Sequence, residues 1–131
     1  MINKIKTFFL FDGQAEEAIN FYVSLFKNSE IIDIRYYSSD EMGVEGTVQH
    51  ATFSLGGQHF MAIDSNFPQD FTFNPSMSLF VDCETEEEIN SLFSELTAHG
   101  TILMPLNNYG FSSKFAWLTD SFGISWQLNL K

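Results

Sequence analysis

Two periods of apolar residues run along this chain, and they alternate in a fixed order. Ile124, Trp126, Leu128 and Leu130 alternate with Ser125, Gln127 and Asn129, the period of a strand with one apolar and one polar face. Met77, Leu79 and Val81 likewise oppose Ser76, Ser78, Phe80 and Asp82. Between such runs the spacing changes to that of an amphipathic helix: Ala18, Ile19, Tyr22 and Phe26 in the first half, and Ile89, Leu92, Phe93 and Leu96 in the second. Strands are predicted over residues 5–11, 31–37, 47–55 and 58–63, and again over 77–81, 101–104, 115–119 and 124–130. Gly56-Gly57 supplies a tight hairpin between two of them, and Asp120-Ser121-Phe122-Gly123 a second turn.

The two halves are copies. Residues 11–20 align without gaps to residues 81–90, with Asp, Glu, Glu, Ile and Asn identical at matched positions. Each copy follows a strand and opens a helix, and each helix precedes three strands, so both halves read β-α-β-β-β. Thr85 with Glu88 has the form of a capping box, and the acidic first turns oppose the helix dipole. Gly100 is the predicted stop of the second helix. The organisation expected is one domain of two pseudo-repeats, 1–66 and 76–131, joined by 67–75. Phe67, Phe71 and Phe73 suggest a connection packed on something. With the helices outside, the polar strand faces would enclose a concavity, the natural ligand site.

Composition removes several classes of function. Seventeen acidic residues against six basic ones give a net charge of −11, and Lys4, Lys6, Lys27, Arg35, Lys114 and Lys131 cannot form a basic patch. Neither nucleic acid nor an anionic membrane is an expected partner. One cysteine, Cys83, excludes an intramolecular disulfide and fits a reducing cytoplasm. The N-terminus passes straight into strand-like alternation with no signal-peptide core, and no apolar run reaches membrane-spanning length. P-loop, dinucleotide, lipase-elbow and HExxH motifs are absent from the sequence.

Three segments carry a family resemblance: Phe8-Phe9-Leu10-Phe11 with Ala15-Glu16-Glu17-Ala18-Ile19-Asn20-Phe21-Tyr22; Val48-Gln49-His50-Ala51-Thr52-Phe53 running into Gly57-Gln58-His59-Phe60-Met61-Ala62-Ile63-Asp64; and Phe115-Ala116-Trp117 through Asp120-Ser121-Phe122-Gly123-Ile124-Ser125-Trp126-Gln127-Leu128. Over essentially its whole length the chain resembles the vicinal oxygen chelate superfamily of glyoxalase I, extradiol dioxygenases and bleomycin-binding proteins. Within it the same segments look like the PhnB-like branch, often described as a demethylubiquinone methyltransferase. The resemblance implies an α+β fold of two tandem βαβββ modules forming an open, partly closed mixed β-sheet barrel with helices outside. It also implies a divalent metal on up to four strand positions. Here those positions fall on Lys6 or Thr7, Met61 or Ala62, Ser76 and Gln127, and a lone neutral amide does not hold a metal. Nothing in the sequence matches the glycine-rich loop that would seat adenosyl-methionine.

His50 is the candidate general base, shared with the resemblance and placed by strand parity beside Val48, Thr52 and Ser54; the other reading is a buried structural imidazole. Gln127 and Ser125, with Ser76 and Phe80, are candidate ligand contacts on the polar faces, against the alternative of a hydrated strand surface. Arg35 either clamps an anionic ligand or pairs with Asp33 or Glu30. His99 reads as structural, Glu86-Glu87-Glu88 as a solvated helix start, and Cys83 as a thiol disfavoured from ionising by its acidic neighbours. Function is read as metal-free binding of a small molecule, cationic or neutral, by a cytoplasmic homodimer that needs no cofactor. The alternatives are a metal-dependent lyase, isomerase or dioxygenase-type enzyme, with a set such as His50, His59 and Asp64 on the metal, which parity opposes because His59 and Asp64 point to opposite faces unless a bulge intervenes, or the branch's methyltransferase. A protein-interaction module with a vestigial cavity is a third class.

Overall fold

The computed structural model describes residues 4–131, so the first three residues of the N-terminal alternation lie outside the described residues. Elements run β1 (Thr7–Phe11), α1 (Ala15–Leu25), β2 (Glu30–Tyr36), β3 (Val48–Leu55), β4 (Gln58–Asp64), β5 (Ser78–Cys83), α2 (Glu86–Thr97), β6 (Thr101–Asn107), β7 (Lys114–Thr119) and β8 (Ser125–Leu130). The fold is α+β, two tandem βαβββ modules. Each builds an open four-stranded sheet, ordered β1-β4-β3-β2 and β5-β8-β7-β6. In both, the first strand lies parallel to the last and the other pairings are antiparallel. The chain divides into two compact units between Asp70 and Phe71.

In the first unit α1 packs chiefly on β3 and buries Ala15, Ala18, Ile19 and Tyr22. Phe9, Phe53 and Phe60 stack beneath it, with ring centroids 5.5–6.0 Å apart. The hairpin joining β3 to β4 uses Gly56 and Gly57 at φ +58° and +86°, left-handed values that a two-residue turn of this kind requires. A register shift between Arg35 and Tyr36 breaks the alternation of β3, so Tyr36 pairs with Val48 while Arg35 pairs with His50. Val48 is accordingly fully buried rather than sharing the half-exposed position of His50, which simple parity had given it.

Helix α1 has no side-chain cap of its own at Gln14. Asp64, the last residue of β4, supplies one: its Oδ1 accepts the N–H groups of Gly13 at 2.9 Å and Ala15 at 3.0 Å, and its Oδ2 accepts the N–H of Val48 at 2.9 Å. This carboxylate is 1% exposed and its charge is met entirely by backbone donors. In α2 the cap is local, Thr85 Oγ1 accepting the Glu88 N–H at 3.1 Å, as the capping box predicts.

The second unit places Ile89, Leu92 and Leu96 of α2 against β7 and β8. A second buried carboxylate, Asp120, holds the turn before β8: Oδ1 accepts from Phe122 N–H and Ile124 N–H, and Oδ2 from Trp126 Nε1–H at 2.8 Å. The stop of α2 differs from expectation. His99, not Gly100, adopts the left-handed conformation at φ +62°, whereas Gly100 is needed for space, since a Cβ there would lie 2.4 Å from the Thr119 carbonyl oxygen. Phe67 and Phe71 are exposed rather than packed, and Met77 lies outside β5 and is exposed. β6 extends to Asn107 through Pro105, which an edge strand tolerates because its missing N–H faces no partner.

Candidate functional site

Register fixes which side chains of the second sheet share the face away from α2. β5 pairs with β8 through Ser78↔Ser125, Phe80↔Gln127 and Asp82↔Asn129, and β7 joins β8 through Trp117↔Gln127 and Phe115↔Asn129. Cross-strand partners project to the same side. One surface therefore collects Ser78, Phe80 and Asp82, then Ser125, Gln127 and Asn129, then Phe115 and Trp117.

Its polar groups are joined. Ser78 Oγ and Ser125 Oγ are 2.6 Å apart, Gln127 Nε2 donates to Ser78 Oγ at 3.2 Å, and Trp117 Nε1 donates to Ser125 Oγ at 2.9 Å. Asn129 Nδ2 donates to Asp82 Oδ1 at 3.1 Å. Ser125 is buried, while Ser78 and Gln127 remain half-exposed at the open end of the network. Beside them stands an aromatic cluster. Phe115 is buried and contacts Phe80, Tyr109 and Phe111, with centroids at 6.4, 6.2 and 5.0 Å. Phe80 and Phe111 are 55% and 64% exposed, an unusual cost for two phenyl rings next to a satisfied polar network. The surface offers ring faces for stacking and oriented amide and hydroxyl groups, but no nucleophile with an adjacent base.

Of the residues singled out in the sequence, Gln127, Ser125 and Phe80 come together here. Ser76 does not join them: it precedes β5, is exposed, and its N–H donates to Asn74 Oδ1 at 2.9 Å. Ser78 takes the place in the network. His50 and Arg35 belong to the first unit, directly paired across β2 and β3. His50 is half-buried and its ring makes no hydrogen bond to another described residue. Arg35 makes a solvent-exposed ion pair with Asp33 at 3.6 Å. Tyr109 and Phe111 reach this surface from the loop-like stretch 107–113, whose composition marks it as a rim for such a face, and Trp117 through the pairing of β7 with β8.

The metal chemistry of the superfamily does not fit the donors present. The four strand positions carry Thr7 or exposed Lys6, half-buried Met61 or buried Ala62, exposed Ser76 and Gln127. Among the described residues no three His, Cys, Asp or Glu side chains group as metal donors. The alternative set of His50, His59 and Asp64 is overturned by the capping geometry, because both Asp64 oxygens are engaged by backbone N–H groups while His59 is exposed. Cys83 offers no thiolate: burial first, then the Glu88 carboxylate, pushes its thiol up to about 12. Lys114 beside Glu86, 2.7 Å away, holds that exposed carboxyl below its usual value.

Comparison with known proteins narrows the setting. The sequence model of the family described as 3-demethylubiquinone-9 3-methyltransferase matches residues 3–129. A solved structure described as a putative 3-demethylubiquinone-9 3-methyltransferase, PhnB protein, from Bacillus cereus is 58% identical, with a TM-score of 0.96 over 98% of this chain and 100% of that one. Protein YjdN of Escherichia coli is 28% identical over 83 residues, 63% of this chain, and the match spans about half (56%) of that curated relative. A glyoxalase-related enzyme from Fulvimarina pelagi shares the fold, with a TM-score of 0.68 at 14% identity over 99% of this chain and 89% of that one.

Proposed function

This chain belongs to the 3-demethylubiquinone-9 3-methyltransferase (PhnB-like) family and has the glyoxalase-like fold; from that premise we propose that it binds a small aromatic molecule without a metal. The observation that carries the reading is the pairing of exposed Phe80 and Phe111 with the Ser78, Ser125, Gln127 and Trp117 network on the helix-free face of the second sheet. Rings there would stack on the guest, and the network would fix its orientation. A net charge of −11 favours a neutral or cationic guest. His50 and Arg35 are retained as candidate anchors on the first unit.

The methyl transfer in the family's description is not carried into this reading. At the turn after β1 the N–H groups of Gly13 and Ala15 are consumed by Asp64, which leaves those donors no hydrogen bond to offer a bound nucleoside. Two further parts of the proposal rest on other grounds. A homodimer would cover the exposed edge-strand side chains Ile32, Ile102 and Leu103, and a reducing cytoplasm suits the single free thiol.

The test is a thermal-shift and calorimetric panel of cationic glycopeptides and neutral aromatic compounds, read on the native protein and on Phe80→Ala. A stabilising shift in the native protein that Phe80→Ala diminishes supports the reading. No shift across the panel, or stoichiometric zinc, iron, nickel or manganese in protein purified without a histidine tag, overturns it. Sedimentation at micromolar concentration reads the dimer.

A further inference from the structure

We propose that Trp117, Ser125 and Ser78 form a one-way hydrogen-bond relay that turns Ser78 into an outward-facing donor, so that the site selects planar neutral molecules bearing a carbonyl oxygen. The inference rests on the aromatic-binding reading above and adds the ligand's functional group.

The direction of the relay follows from counting protons. Trp117 Nε1 has only a hydrogen to give, so Ser125 Oγ accepts it at 2.9 Å. Ser125 is 1% exposed and cannot leave its own hydroxyl hydrogen unpaired without a desolvation cost, and among the described residues the acceptor within reach is Ser78 Oγ at 2.6 Å. Ser78 Oγ already accepts the Gln127 amide N–H at 3.2 Å. Its two acceptor sites are then filled, and its own hydrogen is the one left over. Ser78 is half-exposed, so that hydrogen is offered outward. Because each hydroxyl in the chain accepts before it donates, the terminal donor is polarised by those behind it.

Gln127 reinforces the same demand. One N–H of its amide is committed to Ser78, and the other projects from a nitrogen 3.2 Å away from Ser78 Oγ. Two neighbouring donors suit a single acceptor oxygen. The oxygen they suit is a neutral one. Asp82 lies on the same face of β5, and the unit's Lys114 is tied to Glu86 at 2.7 Å, so a carboxylate or phosphate bound here would be set beside a like charge. Phe80, paired in register with Gln127 and exposed, sets an aromatic ring next to the donor residues, which suits a planar guest whose carbonyl lies in its ring plane.

Titration with coumarin, naphthalene and naphthoate tests this, followed by the Trp117 indole N–H and Gln127 side-chain amide resonances. These probes share a fused-ring size and differ in carrying a neutral carbonyl, no acceptor, or an anionic acceptor. Coumarin is expected to bind about tenfold more tightly than naphthalene, with naphthoate the weakest. Ser78→Ala and Ser125→Ala should each weaken coumarin by about three- to tenfold and leave naphthalene unchanged, while Ser78→Thr keeps the hydroxyl and the preference. Equal affinity for coumarin and naphthalene, tightest binding of naphthoate, or serine variants without effect would overturn the relay and leave aromatic binding standing. Failure of all three probes to bind would remove the aromatic-binding reading and the relay with it.

Discussion

Trp126 gives its indole N–H to the buried carboxylate of Asp120 at 2.8 Å, fixing the turn that aims β8 across the second sheet. Trp126→Phe removes this hydrogen bond to a buried carboxylate and leaves a smaller ring in the core. A loss of about 2–4 kcal/mol is expected in urea unfolding. A loss below about 1 kcal/mol would show that the turn is held by its backbone bonds alone.

The two helix caps predict unequal costs. Thr85→Ala removes one local bond to Glu88 N–H at an exposed helix start and should cost about 1 kcal/mol. Asp64→Ala strands three N–H groups, those of Gly13, Ala15 and Val48, and should cost at least about 3 kcal/mol. Equilibrium denaturation of both variants measures the difference, and equal costs would contradict the assignment of Asp64 as the cap of α1.

At the end of α2, adjacent substitutions should act in opposite directions. Gly100→Ala forces a Cβ to within 2.4 Å of the Thr119 carbonyl oxygen, a backbone atom that cannot swing aside, so about 1–3 kcal/mol of destabilisation is expected. His99→Gly relieves a left-handed residue at φ +62° and should raise stability by up to about 1 kcal/mol. Midpoints of chemical unfolding report both signs.

Alkaline pH should weaken the fold through two groups whose folded pKa values are raised. For Cys83, pushed up to about 12 by burial and by Glu88, the contribution to stability is complete below its unfolded value of 9.0 and is lost as pH rises from there towards 12. Tyr36, whose hydroxyl donates to Glu16 on α1, is raised above 10.0 by that bond, so its contribution also disappears with rising pH. Cys83→Ala should flatten the decline in stability between pH 9 and 12. In the native protein at pH 8 the thiol should resist alkylation until urea exposes it; rapid labelling of folded protein would contradict its burial.

Much of the fold could be read from local pattern. The strand and helix periods around Ile89, Leu92 and Leu96 or Trp126 and Leu128, the capping box at Thr85 and the Gly56-Gly57 hairpin are all short-range signals, and the structure contains each. The site was legible only by half. Alternation put Gln127, Ser125 and Phe80 on a polar face, yet the choice of Ser78 over Ser76 depends on where β5 begins and on its parallel register with β8, a contact between segments far apart in sequence. The role of Asp64 was hidden for the same reason. Parity already turns it away from His59 and from a shared metal, but only the return of β4 alongside β1 delivers the N–H groups that occupy it. Phe67, Phe71 and Met77 show the converse error, since an apolar residue type does not reveal whether anything lies over it.

The origin of the two caps also bears on how the protein is made. A ribosome delivers Thr85 immediately before the helix it caps, so α2 can be stabilised as soon as its own turns emerge. Ala15 must wait for Asp64, synthesised 49 residues later, which at about 5–20 residues per second is a delay of several seconds. During that interval the N-terminal helix start has donors and no acceptor from its own module. The duplicated halves thus impose different timetables on translation, and a nascent chain stalled before Asp64 would expose an uncapped first helix to chaperones that a chain stalled after it would not.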